Sequence, residues 1–451
     1  MLIFGVFALV GKSLKDSDKI VFDLIKAESE RQENGLEMIP SENNCSVAVR
    51  EALGSVFTDK YSEGYPGKRY YGGQEFVDKV ENLAIERAKK LFGVEHVNVQ
   101  PYSGSPANHA VYFALLNPND VVLGQSLTAG GHLTHGWNVN FSGKIYRSIQ
   151  YNVLPNGYID LENVRQLALE HKPKLIWVGA TAYPRALPFK EFSVIADEVG
   201  SYLAADISHI SGLVAGKAHE SPVPYVHIVT TTTHKTLRGP RGALIMVTKK
   251  GLEKDPELPS KIDKAVFPGL QGGPHDHQTA AIAVALGEAL KPEFRDYALQ
   301  IVKNSKALAK TLIENGLKLV TDGSDNHLLL IDLTMFGKGK GFYAQLGLER
   351  AGITVNKNTI PFDPSSPFYP SGIRLGTPAI TTRGLKEKEM EIIGRLIAKV
   401  VKRSCVFDFP DEKSLREKAI EKAKKGIFED KEILEVREEV LGLCKKFPLH
   451  R

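Results

Sequence analysis

The chain has 451 residues, 42 % hydrophobic and 25 % charged, with 58 lysines and arginines against 53 acidic side chains, a formal +5. At about 150 residues per domain this length predicts near three domains or two large ones, with core enough to need no disulfide or metal staple. Three distant cysteines, Cys45, Cys405 and Cys444, form neither a disulfide framework nor a zinc pattern, and a charge of +5 over so large a surface does not imply nucleic acid.

Met1 to Val10 form an apolar run. It is too short to span a bilayer and lacks the basic flank and cleavage-like site of a signal peptide, so it reads as a packing arm, with a misplaced start codon as the alternative. Gly5 and Gly11-Lys12-Ser13 approximate a phosphate-binding loop, but five residues separate the glycines where the cradle needs four. Ile20, Val21, Leu24 and Ile25 make a helical stripe with Gly35 as its stop. A glycine- and tyrosine-rich loop over 61–73 precedes a helix whose face is Phe76, Val77, Val80, Ala84, Ala88 and Leu91, ended by Gly93.

From about 97 to 250 short apolar strands alternate with helices. The strands predicted are Val97–Val99, Val121–Leu123, Leu175–Val178, Tyr202–Ala205, Val226–Thr231 and Ala243–Val247. This alternation predicts an α/β sheet covered on both faces, with ligands beyond the carboxyl ends of its strands. After about 285 a long helix (Ala298, Val302, Ser305, Ala309, Leu312) stops at Gly316, and strands follow near 318–320 and 327–333. Gly337-Lys338-Gly339-Lys340-Gly341 has the wrong spacing for a dinucleotide turn and is expected to be a flexible loop. The tail from Asp411 carries an apolar stripe of Ile433, Val436, Val440, Leu443 and Phe447 among charges, as expected of a solvated helical tail packing one face. The organisation expected is an N-terminal arm and helix over 1–55, a large domain over 56–285 and a smaller one over 286–451.

Several chemical groups fall just beyond the predicted strands. Ser103-Gly104-Ser105 opens a helix whose free N–H groups and hydroxyls suit a phosphate, although an ordinary serine cap is the simpler reading. Asp206 closes one strand and His209 follows. Lys235 follows the β-branched run Val229–Thr233 and His234; enclosed, its amine would lose water and become a nucleophile. His132 is placed to cover an aromatic ring, whereas His132 with His135, or His275 with His277, lacks a third metal ligand, so no metal is expected. Arg374 in Gly372-Ile373-Arg374 offers a fork for a carboxylate. Together these supply what pyridoxal 5′-phosphate needs: a phosphate cup, a stacking ring, an acid for the ring nitrogen and a lysine for the aldehyde.

Tyr61–Gly73 (YSEGYPGKRYYGG), Gly130–Gly136 (GGHLTHG), Thr230–Leu237 (TTTTHKTL), Phe267–Pro274 (FPGLQGGP) and Ser371–Pro378 (SGIRLGTP) closely resemble the serine hydroxymethyltransferases, in order, from about residue 20 to 400. The resemblance implies an α/β fold-type I pyridoxal-phosphate transferase, a mostly parallel sheet flanked by helices plus a smaller C-terminal α+β domain. It also implies a cytoplasmic homodimer with shared active sites and neither membrane nor nucleic-acid partner. Carried over by resemblance, Lys235 is the Schiff-base lysine with His234 beside it. His132 stacks on the ring, Asp206 pairs with its nitrogen, and His209 lies near its phenolic oxygen. Ser103, Gly104 and Ser105 bind the phosphate, Gly272 and Gly273 contribute from the partner chain, and Thr181, standing where serine is common, also meets the cofactor. Ser41, Tyr71 and Arg374 hold the substrate carboxylate. Tyr61 and Glu63 come from the partner subunit, with Glu63 handling the proton of the serine hydroxyl. Leu127, Gly131, His132, Leu133, Asn358, Ser366, Pro367 and Phe368 match positions contacting the pterin.

The activity implied is transfer of the serine hydroxymethyl carbon to a reduced pterin, reversibly giving glycine. Ala129, Leu270 and an apparent insertion over 403–430 depart from the commoner pattern, and the carrier stays open between tetrahydrofolate and tetrahydromethanopterin. A pterin-independent threonine-type aldolase is the alternative on the same fold. A non-catalytic RNA-binding use of the fold would predict no spectral response to pyridoxal phosphate, and the lysine, aspartate and arginine set argues against it.

Overall fold

The structure, a computed structural model, describes residues 11–449; the apolar run Met1–Val10 lies outside them. Its centre is a seven-stranded sheet of β1 (His96–Asn98), β2 (Val121–Gln125), β3 (Arg147–Tyr151), β4 (Leu175–Val178), β5 (Tyr202–Asp206), β6 (Ile228–Thr232) and β7 (Ala243–Val247), in the order β1-β7-β6-β5-β4-β2-β3. Strands β3, β2, β4, β5 and β6 run parallel, and β7 is antiparallel to both β6 and β1. The central strands β4, β6 and β7 are buried along their whole length, as continuous Val/Ile/Leu runs require when helices cover both faces. One apolar cluster fills one side of the sheet, with Leu123, Ile176, Leu203, Val229 and Leu244. Another fills the opposite side, with Val122, Leu175, Ala204, Ile228 and Ile245. This alternation along each strand makes it an α/β sheet covered on both faces.

A second sheet, β8 (Lys318–Leu319), β9 (Leu328–Asp332), β10 (Asn356–Asn358) and β11 (Gly372–Gly376), is antiparallel in the order β8-β9-β11-β10. Its core includes residues from far upstream, since Leu36 and Met38 are buried there. Leu36–Glu37 pairs in parallel with Ile353–Thr354.

Helix α1 (Lys19–Glu33) carries the expected stripe but buries no residue; Ile20 is 75 % and Leu24 64 % exposed. Helix α2 (Glu75–Phe92) ends on Gly93 in the left-handed region, φ 70°. Its inward face is Val77, Glu81, Ala84, Ala88 and Phe92, while Phe76 points outward at 65 % exposure. The face has turned because Glu81 is drawn inward: its carboxylate lies 2.6 Å from Arg69 Nη2, both side chains almost fully buried. The Gly337–Gly341 segment is no flexible loop. A Cβ on Gly341 would lie 2.2 Å from the Gly372 carbonyl oxygen, and Lys340 is buried with its amine donating to the Phe407 carbonyl. Helices α3 (Gly104–Leu115), α4 (Pro292–Glu314), α5 (Gly341–Arg350), α6 (Glu387–Ser404), α7 (Lys413–Glu429) and α8 (Lys431–Lys446) complete the parts used below. In α8 the expected stripe buries Ile433, Val436 and Val440, with Cys444 in place of Leu443.

Candidate active site

Beyond the carboxyl ends of β4, β5 and β6 lies a cavity of about 320 Å³. Its walls include Ser41, Ser103, Gly104, Ser105, His132, Thr181, Asp206, His209, His234, Lys235 and Arg374. Eleven of the residues singled out in the sequence thus meet in one place.

The threonine run of β6 fixes Lys235. Thr233 Oγ1 donates to the Pro240 carbonyl, Thr236 Oγ1 donates to the His209 carbonyl at 3.0 Å, and Asn43 Nδ2 donates to the Lys235 carbonyl at 2.9 Å. Side-chain bonds on both sides therefore hold the backbone, and the amine has little freedom except into the cavity. Burial, offset in part by Asp206 and reinforced by Arg374 and Arg241, lowers the Lys235 pKa to about 8. That is the desolvated amine a nucleophilic lysine needs.

Asp206 ends β5. Its Oδ2 accepts from Asn108 Nδ2 at 2.8 Å and faces His135 Nε2 at 3.2 Å, and its Oδ1 accepts from the Ser208 N–H. Burial alone would raise this carboxyl, yet the His135 hydrogen bond and the charges of His135, His132 and Lys235 hold it well below the usual carboxylate range. Asn108 is set in turn by Thr230 Oγ1, 2.7 Å from its Oδ1. His135 stacks on Trp177, centroids 5.4 Å apart. Neither Asn108 nor His135 was singled out for this role, because their chemistry appears only through Asp206, 98 and 71 residues further along the chain. His132, His135 and Asp206 bring ligand atoms within 4.8 Å of one another, so the fold supplies the third group that sequence spacing lacked. Those atoms already bond to protein: His132 Nδ1 lies 2.7 Å from Thr134 Oγ1.

Ser103 occupies the cap position of α3, but its side chain makes no capping hydrogen bond. The simpler reading of it as an ordinary helix cap therefore fails, and the hydroxyl is left for the cavity. Gly104 is packed so closely that a Cβ would come 2.7 Å from Thr232 Cγ2. Burial lowers His132 to about 4 and His234 to about 3, with His135 adding to the first and Lys235 to the second; His209 lies well below its usual value, again mainly through burial. The three rings are therefore neutral near pH 7. Arg374, in β11, donates from Nη1 to the Thr181 carbonyl at 2.6 Å and from Nε to Asn356 Oδ1 at 3.1 Å. Its burial brings its pKa down to about 10.

The remaining residues lie elsewhere. Tyr61 and Tyr71 hydroxyls each sit 3.4 Å from a Glu63 oxygen, and the two rings meet edge-on at 5.2 Å. A Cβ on Gly272 would lie 2.9 Å from Glu63 Oε1, and one on Gly273 3.0 Å from Tyr61 Cζ. These five form a separate group outside the cavity walls. Tyr71, expected with Ser41 and Arg374, belongs to it because the hairpin Gly64–Tyr65/Lys68–Arg69 carries it there. A further cavity of about 250 Å³ is lined by Thr128, Ala129, Asn152, Thr359, Pro361, Asp363, Ser365 and Pro367, among others. Of the positions expected to contact a pterin, Pro367 lines it. Leu127, Gly131 and Leu133 belong to one flanking segment, and Asn358, Ser366 and Phe368 to the other. A Cβ on Gly131 would meet the Gln125 carbonyl oxygen at 2.1 Å.

Residues 14–397 match the family model described as serine hydroxymethyltransferase. A protein of that name from Francisella tularensis subsp. mediasiatica is 53 % identical over 447 residues, covering 99 % of this chain and all of that protein. One from Acidothermus cellulolyticus is 56 % identical over 389 residues, 86 % of this chain and 89 % of the relative. The chain belongs to the serine hydroxymethyltransferase family of pyridoxal-phosphate-dependent enzymes, which act in serine and glycine one-carbon transfer.

Proposed function

We propose that this chain transfers the hydroxymethyl carbon of serine to a reduced pterin, tetrahydrofolate or tetrahydromethanopterin, reversibly giving glycine and the 5,10-methylene carrier. The observation that carries the reading is the Lys235 amine, desolvated in one cavity with Asp206 and Arg374. The cavity suits pyridoxal 5′-phosphate. The uncapped Ser103 hydroxyl and the α3 N-terminus, closed in by Gly104, offer a seat for the phosphate, with Ser105 beside them. Asp206, kept ionised, would hold a protonated ring nitrogen; His132 would cover the ring and His209 lie near its oxygen; Lys235 would anchor the aldehyde, with His234 and Thr181 at its side. When bound, the cofactor supplies an electron sink for the pair released as the Cα–Cβ bond breaks.

The chain's own groups do the rest. Arg374 and Ser41 bind the amino acid carboxylate and so fix which Cα bond faces the ring. Near pH 7 Lys235 can accept or return a proton, because its pKa lies close by. Tyr61, Glu63, Tyr71, Gly272 and Gly273 would complete the cavity of a second copy, Glu63 taking the proton of the serine hydroxyl, which makes a homodimer part of the proposal. The exposed apolar stripe of α1 and exposed Val56, Tyr70 and Phe76 give such a dimer surface to bury. The pterin would lie along Leu127, Gly131, Leu133, Asn358 and the Ser366-Pro367-Phe368 segment. The division at 55/56 and 285/286 and a cytoplasmic setting belong to the same reading. No described helix is long and apolar enough to cross a membrane.

The test is serine cleavage by the purified enzyme with each carrier supplied separately. Turnover that requires one of them supports the reading, and a rate indifferent to added pterin would assign a 3-hydroxy amino acid aldolase instead.

A further inference from the structure

Residues 405–416, at the front of the apparent insertion, make a wedge against the loops of the smaller sheet. The Arg416 guanidinium lies over two rings, Tyr369 at 5.6 Å and Phe409 at 5.1 Å, and its Nε donates to the Pro410 carbonyl at 2.9 Å. Tyr369 and Phe409 touch at 5.1 Å between centroids, and Phe342 meets Tyr369 edge-on at 5.7 Å. Lys357, at the centre of β10, also sits 5.7 Å from the Tyr369 ring and donates to the Phe368 carbonyl at 2.6 Å. The Gly337–Gly341 turn seats the wedge: Lys338 pairs with Asp411 at 2.5 Å, Lys340 bonds the Phe407 carbonyl, and a Cβ on Gly339 would run into the Phe409 ring at 2.5 Å.

Two cations, Arg416 and Lys357, therefore hold the Tyr369 ring at the end of the loop 359–369. The other end of that loop is pinned by Asp363, which accepts from the Ser365 and Ser371 N–H groups and from Ser371 Oγ. Between the pins run Ser365 and Pro367, which line the 250 Å³ cavity together with Pro361 just ahead of Asp363. None of Arg416, Phe409 or Tyr369 lines the cavity holding Lys235.

We infer that Tyr369, held by Arg416 and Lys357, is a positioning residue for the one-carbon acceptor: the 405–416 segment sets how tightly the acceptor loop is held, and leaves the chemistry at the amino acid untouched. The inference rests on the proposed pterin-dependent function. Ring–cation contacts of this kind are individually modest, so the effect belongs in affinity.

The experiment uses the holoenzyme. Arg416→Ala and Tyr369→Ala should each raise KM for the active carrier about tenfold, equivalent to about 1.4 kcal/mol. Their kcat and their cleavage of a β-phenyl-substituted 3-hydroxy amino acid, assayed without pterin, should stay near wild type. Tyr369→Phe, which keeps the ring, should restore the wild-type KM. An unchanged KM in both alanine variants overturns the inference, and so does a parallel loss of pterin-free cleavage, which would mark a merely structural role. Wild-type serine cleavage that ignores added pterin overturns the underlying function and this inference with it.

Discussion

Replacing Lys235 by methionine keeps the length of the side chain and removes its amine. In the folded chain the amine titrates at about 8 instead of 10.5, chiefly because burial strips its water, Asp206 offsetting and Arg374 and Arg241 adding to the effect. At 1.36 kcal/mol per pH unit, keeping that amine protonated below pH 8 costs the cofactor-free fold roughly 3 kcal/mol. Between pH 8 and 10.5 the unfolded chain binds more protons at this site than the folded one. Stability therefore rises with pH through that window, and the cost has vanished above it. At pH 7 Lys235→Met should be the more stable protein by about 3 kcal/mol, since the attraction of Asp206 is already contained in the lowered lysine value. Urea unfolding of both cofactor-free proteins at pH 7 and at pH 10.5 reads the difference, and groups common to both cancel. The advantage of the methionine variant should shrink towards zero at the higher pH. Parallel stability–pH profiles for the two proteins would refute the argument that the lysine is held at the expense of the fold.

Ser103→Ala should barely change thermal stability, where loss of an ordinary cap costs about 1 kcal/mol, because the hydroxyl caps nothing; a titration followed by cofactor absorbance should show weakened binding. Glu63→Gln should abolish pterin-dependent serine cleavage while the cofactor spectrum is retained, and unchanged turnover would remove Glu63 from the mechanism. Arg69→Ala should destabilise by about 3–5 kcal/mol because it strands the buried Glu81 and breaks bonds to the Ser62 and Gly64 carbonyls. Arg69→Lys should not rescue it, lacking the planar fork. The melting temperature measures both.

Much of the large sheet was legible because its strands are buried on both faces, so Leu175–Val178 and Ala243–Val247 stand out as uninterrupted apolar runs with the observed ends. Arg147–Tyr151 escaped notice since it is an edge strand, mostly half-exposed, whose Arg-Ser-Ile-Gln-Tyr sequence alternates polar and apolar. The inward turn of Glu81 on α2 depends on Arg69, twelve residues upstream, and no helical period contains that partner. In the same way, groups just beyond strand ends, such as Ser103, Asp206 and Lys235, could be found by position and share one cavity, whereas Ser41 and Thr181 came only from the resemblance. Asn108 and His135, which set the Asp206 carboxylate, gain their meaning only from the strand order. The packed Gly337–Gly341 turn misled for a related reason: five alternating glycines and lysines suggest mobility, and only the approach of Gly372 and Phe409 shows that small residues are demanded there.

The parallel pairing of Leu36 with Ile353 also sets the order in which the molecule can be assembled. At roughly 5–20 residues per second, the stretch of chain between them takes about 15–60 s to synthesise. During that time Leu36 and Met38 have no core to enter. Ser41, a few positions on, lines the same cavity as Lys235, so part of that wall depends on a segment anchored by this long-range pairing. Such a long-range closure slows the last step, and it means that a nascent chain released early presents a bare hydrophobic segment near its beginning to the machinery that inspects newly made proteins.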